Sequence, residues 1–175
     1  SGDRTLIFNY TVAYGDTSSD LKYTSAAALA LNSGTILDGA GNAAILTLAE
    51  PGASNSISAA KALILDTSLP TIAAVTSTAA NGNYKLDDTI PITITFTEAV
   101  TVNTDNGTPT LTLETGTTDA VVNYTSGTGT TTLTFNYTVA AGENSADLDY
   151  TLTTALALNS GTIVDAVGNA AILTL

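Results

Sequence analysis

The chain contains no cysteine, histidine, methionine or tryptophan, only three phenylalanines, and four basic residues against sixteen acidic ones in 175 positions. Without cysteine there is no disulfide framework and no thiol chemistry, an absence compatible with the cell exterior. Without histidine, the familiar Ser-His and Cys-His triads are impossible and His-ligated metal sites are excluded. No pair of carboxylates is marked as spanning a cleft in the way glycoside hydrolysis requires, so a non-enzymatic chain is expected. No apolar run approaches the roughly 18 to 20 residues that a membrane helix needs, and neither a signal peptide nor an anchor is visible. A formal net charge of −12 repels nucleic acid and anionic lipid. Divalent cations and a saline or extracellular setting fit that charge. So does the plainer reading, that acidity keeps a Thr/Ala-rich surface soluble.

What the chain does contain, it contains twice. Residues 5–48 (TLIFNYTVAYGDTSSDLKYTSAAALALNSGTILDGAGNAAILTL) return as residues 132–175 at a fixed offset of 127, and 33 of the 48 positions from Ser1 and Thr128 onward are identical. Phe8 matches Phe135, Gly15 matches Gly142, Asp38 matches Asp165 and Asn42 matches Asn169. A period this long exceeds a solenoid unit, so each repeat is expected to be a domain. On this reading residues 1–66 are the C-terminal half of one repeat, and residues 67–175 are most of the next, lacking its last strand. The chain is then expected to be a piece of a longer protein.

The local pattern is that of strands. Thr and β-branched residues abound, and long charged helix-forming runs are absent. Thr5–Val12 alternates Leu6, Phe8 and Tyr10 against Ile7, Asn9 and Thr11, while Ile90, Ile92, Ile94 and Phe96 share one face of the run 90–96. Thr97-Glu98-Ala99 is expected to turn the chain, and 108–114 with 120–125 to form a hairpin. In the first copy, strands are expected at 21–23, 35–37, 43–48 and 61–65 (KALIL). Ala26–Leu31 suits either a strand or a helical turn. Pro70 marks the start of the next domain, since proline suits the first residue of an edge strand. About seven or eight short strands per period, with turn signals every 8 to 12 residues, predict an all-β fold and an immunoglobulin-like β-sandwich in tandem repeats of about 127 residues.

The runs Asp66-Thr67-Ser68-Leu69-Pro70, Lys85-Leu86-Asp87-Asp88-Thr89-Ile90, Phe96-Thr97-Glu98-Ala99-Val100, 108–114 (TPTLTLE) and Asp165-Ala166-Val167-Gly168-Asn169 together resemble the tandem bacterial immunoglobulin-like, or cadherin-like, repeats of large secreted and surface adhesins. The resemblance covers the whole chain, and its motifs are specific collectively rather than singly. The chain departs from the commonest pattern at Asp87, where Gly often stands, and at Val167, where Ala is usual. The resemblance implies an extracellular extender: stacked identical repeats projecting a binding domain toward a cell-surface or glycan target, often stiffened by calcium at the junctions.

In an immunoglobulin-like order the turn after the second strand and the loop before the last strand lie where the linker enters. That order brings Asp66, Glu98 and Asp165 together with Asn169 nearby as ligands for Ca2+, which takes six to eight oxygens. Asp38 and Asn42 are the equivalents in the preceding repeat. The alternative is that Asp38 and Asp165 only bond the amides of their own turns. Asp87, Asp88, Asp147 and Asp149 are expected to form a solvated loop rather than a second cluster. Lys22, Lys61 and Lys85 read as surface lysines rather than isopeptide donors, and the sequons at Asn9, Asn106, Asn123 and Asn136 assign no glycan. Two other roles stay open beside the extender: a module whose loops bind a glycan or protein, and a filament subunit that exchanges strands between chains.

Overall fold

The computed structural model describes residues 4–175, and they divide into two compact units, the first ending at Ser68 and the second spanning Leu69–Leu175. The second unit is all-β, with strands β1 (Ile72–Ser77), β2 (Thr89–Asn103), β3 (Thr110–Glu114), β4 (Ala120–Ser126), β5 (Thr130–Thr138), β6 (Asp149–Tyr150), β7 (Leu156–Ala157) and β8 (Thr162–Val164). They form one antiparallel sheet in the order β1-β2-β5-β4-β3-β6, with β7 paired to β3 and β8 paired to β2. The sheet curls, so that residues of β2 and β5 share one buried cluster with residues of β3, β7 and β8.

The alternation read from the sequence sets the register. Ile90, Ile92, Ile94 and Phe96 are all buried, and Ile92 stands opposite Phe135 while Ile94 stands opposite Leu133. Phe135 also meets Tyr124 of β4 edge to face, with ring centroids 6.0 Å apart. Pro91 lies within β2, although proline donates no ladder bond. Its carbonyl accepts from Ser77 Oγ at 2.7 Å, at the point where β1 ends, so the edge on which its missing N–H would fall has no strand to bond. Where β4 turns into β5, Gly127 has a φ of +111°, and a Cβ there would lie 2.1 Å from the Thr132 carbonyl oxygen, so only glycine fits.

One expectation is corrected. Thr97-Glu98-Ala99 does not turn the chain: β2 runs on to Asn103, and its register against β5 shifts between Thr95 and Val100. Five steps along β2 there pass two along β5, an extended irregularity of the bulge kind, which bends a strand and re-aims its side chains without ending it. It lets the far half of β2 pair with β8.

The first unit is identical to the second at 33 of 48 matched positions but has no strand ladder among its described residues. It contains a four-residue helix, α1 (Ile57–Ala60), capped by Ser56 Oγ accepting from the Ala59 amide, and isolated bridges pair Ser18 with Leu65 and Leu37 with Ala43. The expected strands at 5–12, 21–23, 35–37, 43–48 and 61–65 are therefore reduced to extended or bridged segments. The turns, by contrast, are reproduced. Gly34 N donates to the Leu31 carbonyl at 2.7 Å and Gly161 N to that of Leu158 at 2.8 Å, over central residues Asn32-Ser33 and Asn159-Ser160 that all have positive φ. Leu48 bonds Ala26 as Leu175 bonds Thr153, and Ala44 bonds Ile36 as Ala171 bonds Ile163. Turns close over a few residues and form from local sequence. A strand needs a partner, and among the described residues none pairs with the run 5–11. Phe8 is consequently 75% exposed where Phe135 is 0% exposed.

This contrast predicts opposite outcomes for one substitution at two matched sites. Phe135→Ala is expected to lower the unfolding free energy of the second unit by about 3–5 kcal/mol, and Phe8→Ala to change it by less than about 0.5 kcal/mol. Urea titration of the full chain followed by tyrosine fluorescence reads both, and equal losses would refute the account.

Candidate metal centre

Two of the expected ligands are brought together within the second unit by strand pairing. Glu98 sits in the β2 bulge, and Asp165 follows β8 directly. Because Thr101 stands opposite Val164, the residue after Val164 lies back along β2 toward the bulge. Carboxylate oxygens of Glu98 and Asp165 come within 4.8 Å of one another. The neighbouring backbone is pinned: the Thr71 amide donates to Thr97 Oγ1 at 3.0 Å, Thr97 N donates to the Thr71 carbonyl at 2.8 Å, and Ile172 N donates to the Pro70 carbonyl at 2.8 Å. The segment that enters this unit is therefore bonded to Thr97, the residue next to Glu98 in sequence.

Asp165 is also the centre of its own turn. Its Oδ1 accepts from the amides of Val167 at 2.9 Å and Asn169 at 2.8 Å, and its Oδ2 accepts from Asn169 Nδ2 at 2.7 Å. Burial, with only 4% of Asp165 exposed, pushes its carboxyl pKa up; these donors outweigh the burial and hold the group below the usual carboxylate value. Asn169 thus positions Asp165. Asp38 makes the same turn in the first unit, accepting from the Ala40 amide at 2.9 Å, the Asn42 amide at 2.8 Å and Asn42 Nδ2 at 2.8 Å. The Asn42 side chain, first, and the turn amides lower its pKa too, but Asp38 is exposed and gathers no group of three acidic residues among those described. The Asx-turn reading accordingly holds for both aspartates. Glu98 distinguishes Asp165 from Asp38.

Asp66 lies in the first unit, where Ser68 N donates to its Oδ1 at 3.0 Å. Of the four residues expected to form a solvated acidic loop, Asp88 accepts from Lys85 Nζ at 2.8 Å, and no group of three or more acidic residues gathers at that end among the described residues.

A pair of side chains escaped the sequence reading. Tyr137 donates to Glu143 Oε2 at 2.7 Å, and the Ala140 amide donates to the same oxygen at 2.6 Å; Tyr10 and Asp16 repeat the arrangement with Ala13. Burial first, then the Glu143 contact, pushes the Tyr137 hydroxyl up to about 12. The signal was present as a Tyr followed six residues later by an acid in both copies.

No family model, curated protein or solved structure matches this chain. No helix among the described residues is long and apolar enough to cross a membrane.

A depressed folded-state pKa means that the unfolded chain binds the proton more tightly, so Asp165 contributes stability that is complete above its unfolded value of about 3.9 and is lost as pH falls through the lower folded value. Asp165→Asn is expected to flatten the acid limb of the stability curve below about pH 5. Urea midpoints measured from pH 7 to 2 check this. An unchanged acid slope would show that the turn amides do not favour the charged form.

Proposed function

We propose that the chain is a non-catalytic spacer built of tandem immunoglobulin-like β-sandwich repeats of about 127 residues, part of an extracellular or surface-displayed bacterial protein whose target is bound elsewhere. Its work is reach and stiffness, and its immediate partners are neighbouring repeats. The observation that carries this reading is the repetition itself. At one fixed offset the same turns recur with the same hydrogen bonds, and the positions that vary mark no single copy as a dedicated binding site. The curled antiparallel sheet, with its core in the curl, supports the reading, since a sandwich repeat packs antiparallel strands over one such core.

Calcium at the junction is the stiffening device in this proposal. Glu98 and Asp165 offer two carboxylates near the point where the linker enters, and Asp66 is the third. Asp66 precedes Pro70 by four residues, a span of about 14 Å at most when extended, and Pro70 is bonded to the unit that holds the other two. Carbonyls and waters complete the six to eight oxygens that calcium takes. A site with so few carboxylates binds at ~10⁻⁴ to 10⁻³ M, which suits the extracellular calcium level.

Thermal melts of the full chain with calcium and with chelator test the proposal. At a hundred times the dissociation constant, an ion that binds only the folded state adds about 2.7 kcal/mol. That gain is expected in the native chain and is expected to vanish in Glu98→Gln and in Asp66→Asn. Superimposable melts in calcium and chelator would leave the acidic residues as a solvating surface and the short linker as the sole source of stiffness.

A further inference from the structure

The chain contains two Asn-Gly pairs, Asn81-Gly82 and Asn106-Gly107, both in the second unit. Glycine after asparagine leaves the side-chain amide open to attack by the next backbone nitrogen, because no Cβ stands in the way. The two pairs have opposite settings. Asn106-Gly107 is pinned: Gly107 N donates to the Thr104 carbonyl at 3.2 Å, and a Cβ on Gly107 would run into the carbonyl of Asn159, which belongs to the turn 158–161. Asn81-Gly82 is loose. It lies between β1 and β2, beyond the point where Ser77 stands opposite Ile92 and their ladder ends. This loop is tied at both ends, by the Ala79 amide on Ser77 Oγ at 3.0 Å and by Asp88 N on the Lys85 carbonyl and Asp87 N on the Val139 carbonyl, both at 3.0 Å. Between those ties the amides of Asn81, Gly82 and Asn83 make no hydrogen bond among the described residues. All three residues are exposed, and a Cβ on Gly82 would meet nothing within 4 Å.

We infer that Asn81 is a site of spontaneous modification in the folded protein, converting through a succinimide to aspartate or isoaspartate, while the fold protects Asn106. The Gly82 nitrogen gives up its proton to hydroxide and attacks Cγ of Asn81. The new N–Cγ bond closes the succinimide ring, and Nδ2 leaves as ammonia after taking a proton from water. Water then adds to either ring carbonyl and breaks one N–C bond, leaving a carboxylate; nothing is oxidised or reduced. Reaching this geometry means turning the backbone until the nitrogen faces Cγ, and releasing any hydrogen bond that its N–H makes. At Gly82 there is no such bond to release and there is room to turn. At Gly107 the same rotation must break the Thr104 bond and displace the turn at Asn159. Asn83 shares the open loop, but Tyr84 follows it, and the Cβ and ring of Tyr84 hinder the attack. The product adds one negative charge to a chain that carries −12 and, as isoaspartate, one methylene to the backbone. Because the loop lies outside the β1–β2 ladder, the sheet keeps its register through either change.

The full chain, incubated in mildly alkaline buffer and mapped by peptide mass spectrometry, reads the conversion at each asparagine; enzymatic methylation of isoaspartate confirms the product. In the folded chain Asn81 is expected to convert at least about tenfold faster than Asn106 or Asn83, a barrier difference of about 1.4 kcal/mol. In urea beyond the unfolding midpoint Asn81 and Asn106 are expected to converge, since both are then open Asn-Gly pairs, and Asn83 to stay slow. Gly82→Ala has open space for its Cβ and no positive φ to satisfy. It is expected to keep the native urea midpoint and to slow Asn81 to the level of Asn83. Equal rates at Asn81 and Asn106 in the folded chain would overturn the inference. So would a preference for Asn81 that persists unchanged in urea, because neighbouring sequence rather than the fold would then set it.

Discussion

The pairing of β2 with β5 is the interaction on which the rest of the second unit depends. It sets Ile92 against Phe135 and Ile94 against Leu133, and it buries both faces of contact at the centre of the curl. Everything else is arranged from that pair: β1 and β4 extend the sheet on either side, and the bulge beyond Thr95 frees the end of β2 to take β8. The partners are about forty residues apart in the chain, so the loop-closure cost must be met before any side chain is buried. Only a long run of mutually fitting apolar positions returns enough free energy to offset it.

The first unit shows what the same residues do without that partner. Its turns close, its Asp38 and Tyr10 make the local bonds of Asp165 and Tyr137, and Ser18 still finds Leu65. Yet Phe8, Leu6 and Tyr10 stay exposed. Local hydrogen bonds and tertiary burial are therefore separable in this protein, with two copies of one sequence showing the first with and without the second. An exposed strand-like run is also a template for pairing.

The acidic centre illustrates a different kind of economy. Asp165 is held charged by amides of its own turn, which costs nothing in tertiary terms and occurs equally at Asp38. Its burial, and its approach to Glu98, come from β8 lying against the end of β2. A loop that in one context is only a well-bonded turn becomes, next to a bulge that carries a glutamate, a pair of carboxylates in reach of one cation.

By itself the sequence determined the repeat and its offset, the all-β character, the alternating core face from Ile90 to Phe96, the hairpin of β3 and β4, and the Asp-to-Asn turns, because each is written in residues close together in the chain. It also pointed to Glu98 and Asp165 as neighbours. It misplaced the backbone at Glu98: Thr-Glu-Ala reads as a turn when only local propensity is weighed, whereas the pairing of Thr101–Asn103 with Thr162–Val164 keeps β2 extended through a bulge. It did not show the Tyr137–Glu143 contact or the turn 158–161 against Gly107, since both are made by segments that meet only after the sheet has curled. Among the described residues, TLTFNYT pairs with β2 and is buried, while TLIFNYT pairs with no strand and stays exposed, although strand propensity is shared by both.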